Sequence, residues 1–160
     1  MVKVHITPKE ADLRVERAVQ LFKEGYNCSQ SVVGAFADLY GFTQEQALLM
    51  SASFGGGIGR MRQTCGAACG MFVLAGLQSG TTIGSDREGK SRNYAMVQQL
   101  AESFKQINGS IICAELLGLK PNAEITAQAS ERTDSYYKKR PCSEMVRTAA
   151  RLFANAISQD

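Results

Sequence analysis

The 160-residue chain has no tryptophan, only three prolines and a single histidine, His5. That histidine stands near the start of the chain, where fraying is expected, so neither a Cys–His catalytic pair nor a mixed Cys–His zinc site is supported. The sequence contains no low-complexity tract, and 44% of its residues are hydrophobic. This composition is typical of an ordered globular protein and argues against disorder along the whole chain.

A strong excess of one charge and a long apolar helix are also absent. Lys and Arg number 18 against 15 Asp and Glu, and the densest basic run is Lys138-Lys139-Arg140. Nucleic-acid-binding proteins usually gather a larger basic patch, so we expect no nucleic-acid partner. Residues 64–85 carry no charge, but Gln78 and several glycines make them a poor membrane span. The first residues lack the apolar core of a secretory signal, which favours a cytoplasmic protein without a membrane partner.

Helix signals recur along the chain, whereas no alternating pattern is long enough for a strand. Capping boxes begin helices at Thr7 and Thr43, and Asn27 can cap another. The predicted helices, written with the residues that start and stop them, are 7–25, 27–41, 43–50, 65–80, 86–107, 110–118 and one that begins at Pro141. Residues 54–62, FGGGIGRMR, form a glycine-rich loop before the fourth helix. Residues 119–139 are polar and irregular, with one helical turn expected near Ile125.

The length and this pattern predict one compact all-α domain over residues 1–160, built of about six to seven helices. We expect the fourth helix to be the central buried one. Gly66 and Gly70, and then Gly76 and Gly80, lie four apart on it, which lets another helix pack closely. The glycine-rich loop is not a dinucleotide-binding fingerprint, because that motif needs a preceding strand.

Five cysteines are the residues best suited to carry chemistry: Cys28, Cys65, Cys69, Cys113 and Cys142. Four stand in the first turn of a predicted helix, and Cys69 lies one turn after Cys65 on the same face. A helix start offers free N–H groups and a partial positive charge, so this pattern predicts thiols of lowered pKa. Three arginines could strengthen that effect, namely Arg60, Arg62 and Arg140. An odd number of cysteines in a reducing compartment argues against a permanent disulfide framework, and buried thiols that serve only packing are an equally good interpretation.

The segments around these cysteines resemble a known family. TCGAACG at 64–70 fits a CGAxxG signature, and GYNCSQSV, GSIICAELLG and PCSEMV surround the cysteines before and after it. Over residues of about 18–153 the chain is similar to the C_GCAxxG_C_C family, whose suggested activity is redox chemistry. The resemblance implies a helical fold and four functional cysteines, which are Cys28, Cys65, Cys113 and Cys142. It extends to the non-haem domain of split-Soret cytochromes, with which a two-iron cluster is associated.

Three functions fit these residues. The first is thiol–disulfide or electron-transfer chemistry, as in a thiol oxidoreductase, with Cys65 as the reactive thiolate and Cys28, Cys113, Cys142 or Cys69 as the thiol that resolves the disulfide. The second is an iron–sulfur cluster for electron transfer or sensing, bound by the same cysteines except Cys69. The third is a non-catalytic helical domain with structural thiols. The redox partner is unidentified, and a homo-oligomer is left open.

Overall fold

A computed structural model describes residues 3–159, which contain eight α-helices, two 3₁₀ helices and no β-strand. The α-helices are α1 Pro8–Lys23, α2 Cys28–Gly34, α3 Gln44–Ser51, α4 Gly66–Ser79, α5 Arg87–Asn108, α6 Cys113–Leu116, α7 Asp134–Lys139 and α8 Cys142–Ile157. The 3₁₀ helices are Ala37–Tyr40 and Ala52–Phe54. The all-α prediction is confirmed. Six of the eight α-helices have seven or more residues, in agreement with the predicted number of about six to seven. The other two, α6 and α7, are short, with four and six residues.

The central helix is α4, which packs against α2, α5 and α8. Nine of its 14 residues are buried, as predicted. The close approach predicted from its glycines occurs only in the first half of the helix. A Cβ added to Gly70 would lie 2.9 Å from the Ser29 carbonyl oxygen of α2, whereas one added to Gly76 would meet no atom within 4 Å. The first turns of α4 are therefore the part pressed against α2.

Helices α1 and α8 pack along each other and close the opposite side of the core. Phe153 of α8 meets Phe36 edge to face, with ring centroids 5.2 Å apart. Just before α1, the Ile6 N–H donates to the Ile157 carbonyl at 3.1 Å. His5, which is exposed, therefore stands in an anchored segment rather than a frayed end.

The predicted helix 27–41 is divided, which corrects the sequence-based boundary. Its first part ends at Gly34, and Phe36 leaves helical geometry with φ −130° before the 3₁₀ helix begins. The Phe36 side chain is fully buried in the core, and the Arg14 guanidinium donates to the freed Ala35 carbonyl at 2.8 Å. Burial of one ring and capping by a distant arginine thus override the local helix pattern.

Residues 110–139 also differ from expectation. The predicted helix 110–118 shrinks to α6, and the Ser110 hydroxyl accepts from the Ile112 N–H instead of capping a longer helix. No helical turn forms at Ile125, whereas α7 forms further along, capped by Thr133. In the part of the chain that the structure describes, no helix combines the length and the apolar character needed to cross a membrane.

The position of α7 depends on Arg132, which lies just before it. Its guanidinium donates to the carbonyls of Phe22 and Tyr26 at 3.0 and 2.9 Å. It also lies 4.3 Å from the centroid of the Phe22 ring. Hydrogen bonds from a cation and a cation–π contact thus attach α7 to the end of α1.

The contrast between Gly70 and Gly76 gives a test of the packing. Gly76→Ala should raise the free energy of unfolding by about 0.5–1 kcal/mol, because alanine favours a helix and restricts the unfolded chain. Gly70→Ala should lower it by about 1–3 kcal/mol, because the new methyl group must push α2 away. Urea denaturation of both variants measures these changes. Stabilisation by both would contradict the close contact between α2 and α4.

Candidate functional site

The glycine-rich loop at residues 54–62, which leads into α4, has a rare backbone conformation. Residues 56–60 all have positive φ, from +57° to +76°, and Arg62 has φ +61°. Ile58 is β-branched and is strained in this region, because its Cβ crowds the backbone. A backbone bond from the Gln63 N–H to the Gly57 carbonyl, 2.9 Å long, helps to hold the loop closed. The loop is thus a fixed support for the helix that follows.

Backbone pairing joins the start of α4 to the start of α6. Thr64 and Ile112 form an isolated antiparallel bridge. The Cys65 N–H donates to the Ile111 carbonyl at 2.7 Å, and the Cys113 N–H donates to the Gln63 carbonyl at 2.6 Å. This short pairing brings Cys65 and Cys113 together although 47 residues separate them in the sequence.

Two glycines leave the space that the cysteine side chains occupy. A Cβ on Gly66 would collide with the Cys28 sulfur, and a Cβ on Gly57 would lie 2.5 Å from the Cys113 Cβ. Gly66 is the glycine directly after Cys65 in the CGAxxG signature. The absence of a side chain at these two positions therefore allows α2, α4 and α6 to converge.

Four cysteines line one cavity of about 60 Å³, which is room for about two water molecules. They are Cys28, Cys65, Cys113 and Cys142, and each is the first residue or the N-cap of its helix. Apolar and aromatic side chains form most of the remaining wall: Phe22, Leu116, Leu117, Tyr136 and Met145. Four separate segments thus place their thiols at one point. We name this space the thiol cavity.

Cys69 is buried but does not line the thiol cavity. Its thiol donates to the Thr64 carbonyl at 3.7 Å, one turn back along the chain. All five cysteines are free thiols. The structure therefore separates Cys69 from the four cysteines that the family resemblance implies to be functional.

The cysteines lie within the range of the chain that a known family matches. The family profile described as "Putative redox-active protein (C_GCAxxG_C_C)" matches residues 26–156, close to the expected 18–153. The chain belongs to the C_GCAxxG_C_C family. An uncharacterized protein of Archaeoglobus fulgidus is 27% identical over 158 residues, which cover 93% of this chain and 96% of that protein. No solved structure matches the chain, and the relation to split-Soret cytochromes stays a prediction.

The cysteines of this family member are less acidic than their helix-start positions predicted. Burial raises the pKa of Cys28 and Cys65, and it raises the pKa of Cys69 and Cys142 to about 11 each. Neighbouring thiols raise the pKa further, because two negative charges would share one site. Backbone N–H groups at the start of α4 favour the Cys65 thiolate, as predicted, but burial outweighs them. The prediction of lowered pKa is therefore wrong for Cys28, Cys65 and Cys142.

Three arginines reach the thiol cavity, and one of them was not expected from the sequence. Arg62, Arg132 and Arg140 line it, and the Arg62 Nη1 lies 3.8 Å from the Cys113 sulfur. The sequence nominated Arg62 and Arg140 but missed Arg132 and its neighbour Tyr136, for which the only local signal is the mixture of aromatic and basic residues at 132–140. The cavity therefore combines four thiols with three guanidinium groups.

Across residues 3–159, no group of three or more His, Cys, Asp or Glu side chains is arranged to hold a metal ion. The four cavity cysteines match an iron–sulfur cluster in number and kind of ligand. His5 does not line the cavity.

The raised pKa values predict how the thiols react with an alkylating reagent. Because the thiolate is the reactive form, iodoacetamide alkylation of Cys65 and Cys142 should rise about tenfold per pH unit from pH 7 to pH 9. Unfolded protein in urea provides the control, since its cysteines should approach a plateau above a pKa of about 8.5. Mass spectrometry of digests from quenched samples measures each rate. A plateau for Cys65 below pH 8 would restore the helix-start prediction.

Proposed function

We propose that the chain is a thiol–disulfide redox protein whose working residues are the four cysteines of the thiol cavity. The supporting observation is the convergence of Cys28, Cys65, Cys113 and Cys142 from four separate helix starts. Cysteines that serve only packing have no need to share one cavity. The family to which the chain belongs has a suggested redox activity. Four thiols in one cavity are suited to such an activity.

Solvent exposure decides which cysteine a partner protein can reach first. Cys28 and Cys142 are partly exposed, whereas Cys65 and Cys113 are buried. Arg140 and Arg132 act on Cys142 against the effect of burial and favour its thiolate. The structure therefore favours Cys142 over Cys65 as the thiol that attacks.

Cys28 is the best candidate for the resolving thiol. Cys28 lines the thiol cavity together with Cys65 and Cys142, and its ionisation would raise the pKa of both of them and of Cys69. In the proposed reaction, the Cys142 thiol loses its proton and attacks a disulfide of a partner protein, which releases one partner thiolate. The Cys28 thiolate then attacks the mixed disulfide and releases the second. Two thiols of this chain become a disulfide while the partner disulfide becomes two thiols.

The choice of Cys28 is tested by counting free thiols after equilibration in a dithiothreitol redox buffer. Wild-type protein should lose two of its five free thiols, and digestion without reduction should show one internal disulfide that contains Cys28. Cys69→Ser is the matched control and should still form that disulfide, because Cys69 lies outside the cavity. Cys28→Ser should not form a disulfide at the same potential. Unchanged thiol counts in the wild type would contradict the proposal.

An iron–sulfur module is the second candidate, favoured by a set of four cysteine ligands in one cavity. Anaerobic reconstitution with iron and sulfide distinguishes it from thiol exchange. About stoichiometric iron with visible absorbance, lost in Cys113→Ser and kept in Cys69→Ser, would support the cluster. A colourless protein that still forms the Cys28 disulfide would support thiol exchange. If Cys-to-Ser changes altered only stability, the thiols would be structural.

A further inference from the structure

A second and larger cavity adjoins the thiol cavity. Its volume is about 370 Å³, within the range of small-molecule sites. The two cavities share part of their walls, namely Asn27, Gly56, Arg62, Arg132, Tyr136 and Arg140. We name it the arginine cavity. A molecule bound there would lie directly beside the thiols.

Four arginines line this cavity, and none of its lining residues is acidic. They are Arg60, Arg62, Arg132 and Arg140. In the described part of the chain, four of the six arginines outside the cavity form ion pairs, such as Arg14 with Asp38 at 2.7 Å. Within residues 3–159 none of the four cavity arginines forms one with a carboxylate. Four positive charges thus face one space with no negative charge from the protein to balance them.

Two of these arginines are held in place by the protein. Arg60 donates to the Thr126 carbonyl at 3.0 Å and also to the Gln128 carbonyl. Arg132 is held by the two carbonyls at the end of α1 described above. Neutral carbonyls fix the direction of a guanidinium but do not cancel its charge. These two groups are therefore preorganised cations.

The other two arginines keep their N–H donors available. In the part of the chain that the structure describes, neither the Arg62 nor the Arg140 guanidinium donates to a protein oxygen, and Arg62 approaches only the Cys113 sulfur. Arg140 lies over the Tyr136 ring at 5.1 Å from its centroid, and Arg62 extends from the strained loop. Burial, together with the charges of Arg62 and Arg140, lowers the pKa of Arg60, as expected where like charges stand near one another.

We propose that the arginine cavity binds a small anion that carries two or more negatively charged carboxylate or phosphate groups. Guanidinium groups form paired, charge-assisted hydrogen bonds with both of these groups. The volume holds more than a single inorganic ion, and a ligand with at least two charges would offset the repulsion among the arginines. This inference depends on the arginine cavity alone and does not require the proposed thiol exchange.

Calorimetric titration of the full chain with sodium pyrophosphate and with sodium citrate tests the inference, with sodium chloride at matched ionic strength as the reference. At least one of the two anions should bind saturably with a Kd of about 1 mM or tighter, while chloride should not. Binding of pyrophosphate alone indicates a phosphate ligand, and binding of citrate alone indicates a carboxylate ligand. No saturable binding of either at about 10 mM would overturn the proposal.

Matched variants test whether the anion binds in the arginine cavity. The double variant Arg62→Gln, Arg140→Gln removes the two arginines without protein oxygen partners, so its fold should persist, and circular dichroism checks this. Its affinity should fall about tenfold or more, because charge-assisted bonds are lost. Arg140→Gln alone should show a smaller loss. Arg92→Gln removes the same charge from the mostly exposed Arg92 of α5 and should leave the Kd unchanged. Equal affinity in the double variant and Arg92→Gln would overturn the inference.

Discussion

The close approach of α2 and α4 is the constraint on which the site depends. Gly66 lies against the Cys28 sulfur, and Gly70 lies against the backbone at Ser29. Because neither glycine has a side chain, the two helix starts approach one another near backbone contact distance. The strained loop before α4 and the short pairing of Thr64 with Ile112 then set the direction from which Cys65 arrives. A larger residue at position 66 would displace the very sulfur that the site uses.

Burial and helix-start electrostatics oppose each other at the thiols. Each cavity cysteine begins a helix, where free N–H groups favour a thiolate. The same position places Cys28 and Cys65 beside apolar side chains such as Phe22 and Met145, where charge is costly. Burial is the larger effect on the pKa of both thiols, since the helix start offers only a partial charge. Both thiols therefore favour the protonated form.

The two adjoining cavities differ in the groups that line them. The thiol cavity holds the four cysteines beside Phe22, Tyr136 and Met145, whereas the arginine cavity adds Arg60 and has no acidic residue among the described residues that line it. Arg132 contributes to both cavities, because it attaches α7 to α1 and lines each of them. Segments that are distant in sequence thus assemble a cluster of thiols beside a cluster of arginines.

Local chemistry was enough to predict most helices and the family. Caps such as Asn27 and Thr43, and stops such as Gly109, act within one turn, so their effect is visible in a short segment. Local rules failed where a contact with residues far along the chain sets the backbone conformation. Burial of the Phe36 ring in the core, for example, divides the predicted helix 27–41.

The sequence by itself determined the family and the helix starts at which four cysteines stand, because signature motifs and capping are local properties. Only the tertiary structure decided that Cys28, Cys65, Cys113 and Cys142 share a cavity while Cys69 does not. It also decided that burial raises the pKa of Cys28, Cys65 and Cys142. Convergence and desolvation depend on contacts between residues far apart in the chain, and no local pattern records those contacts.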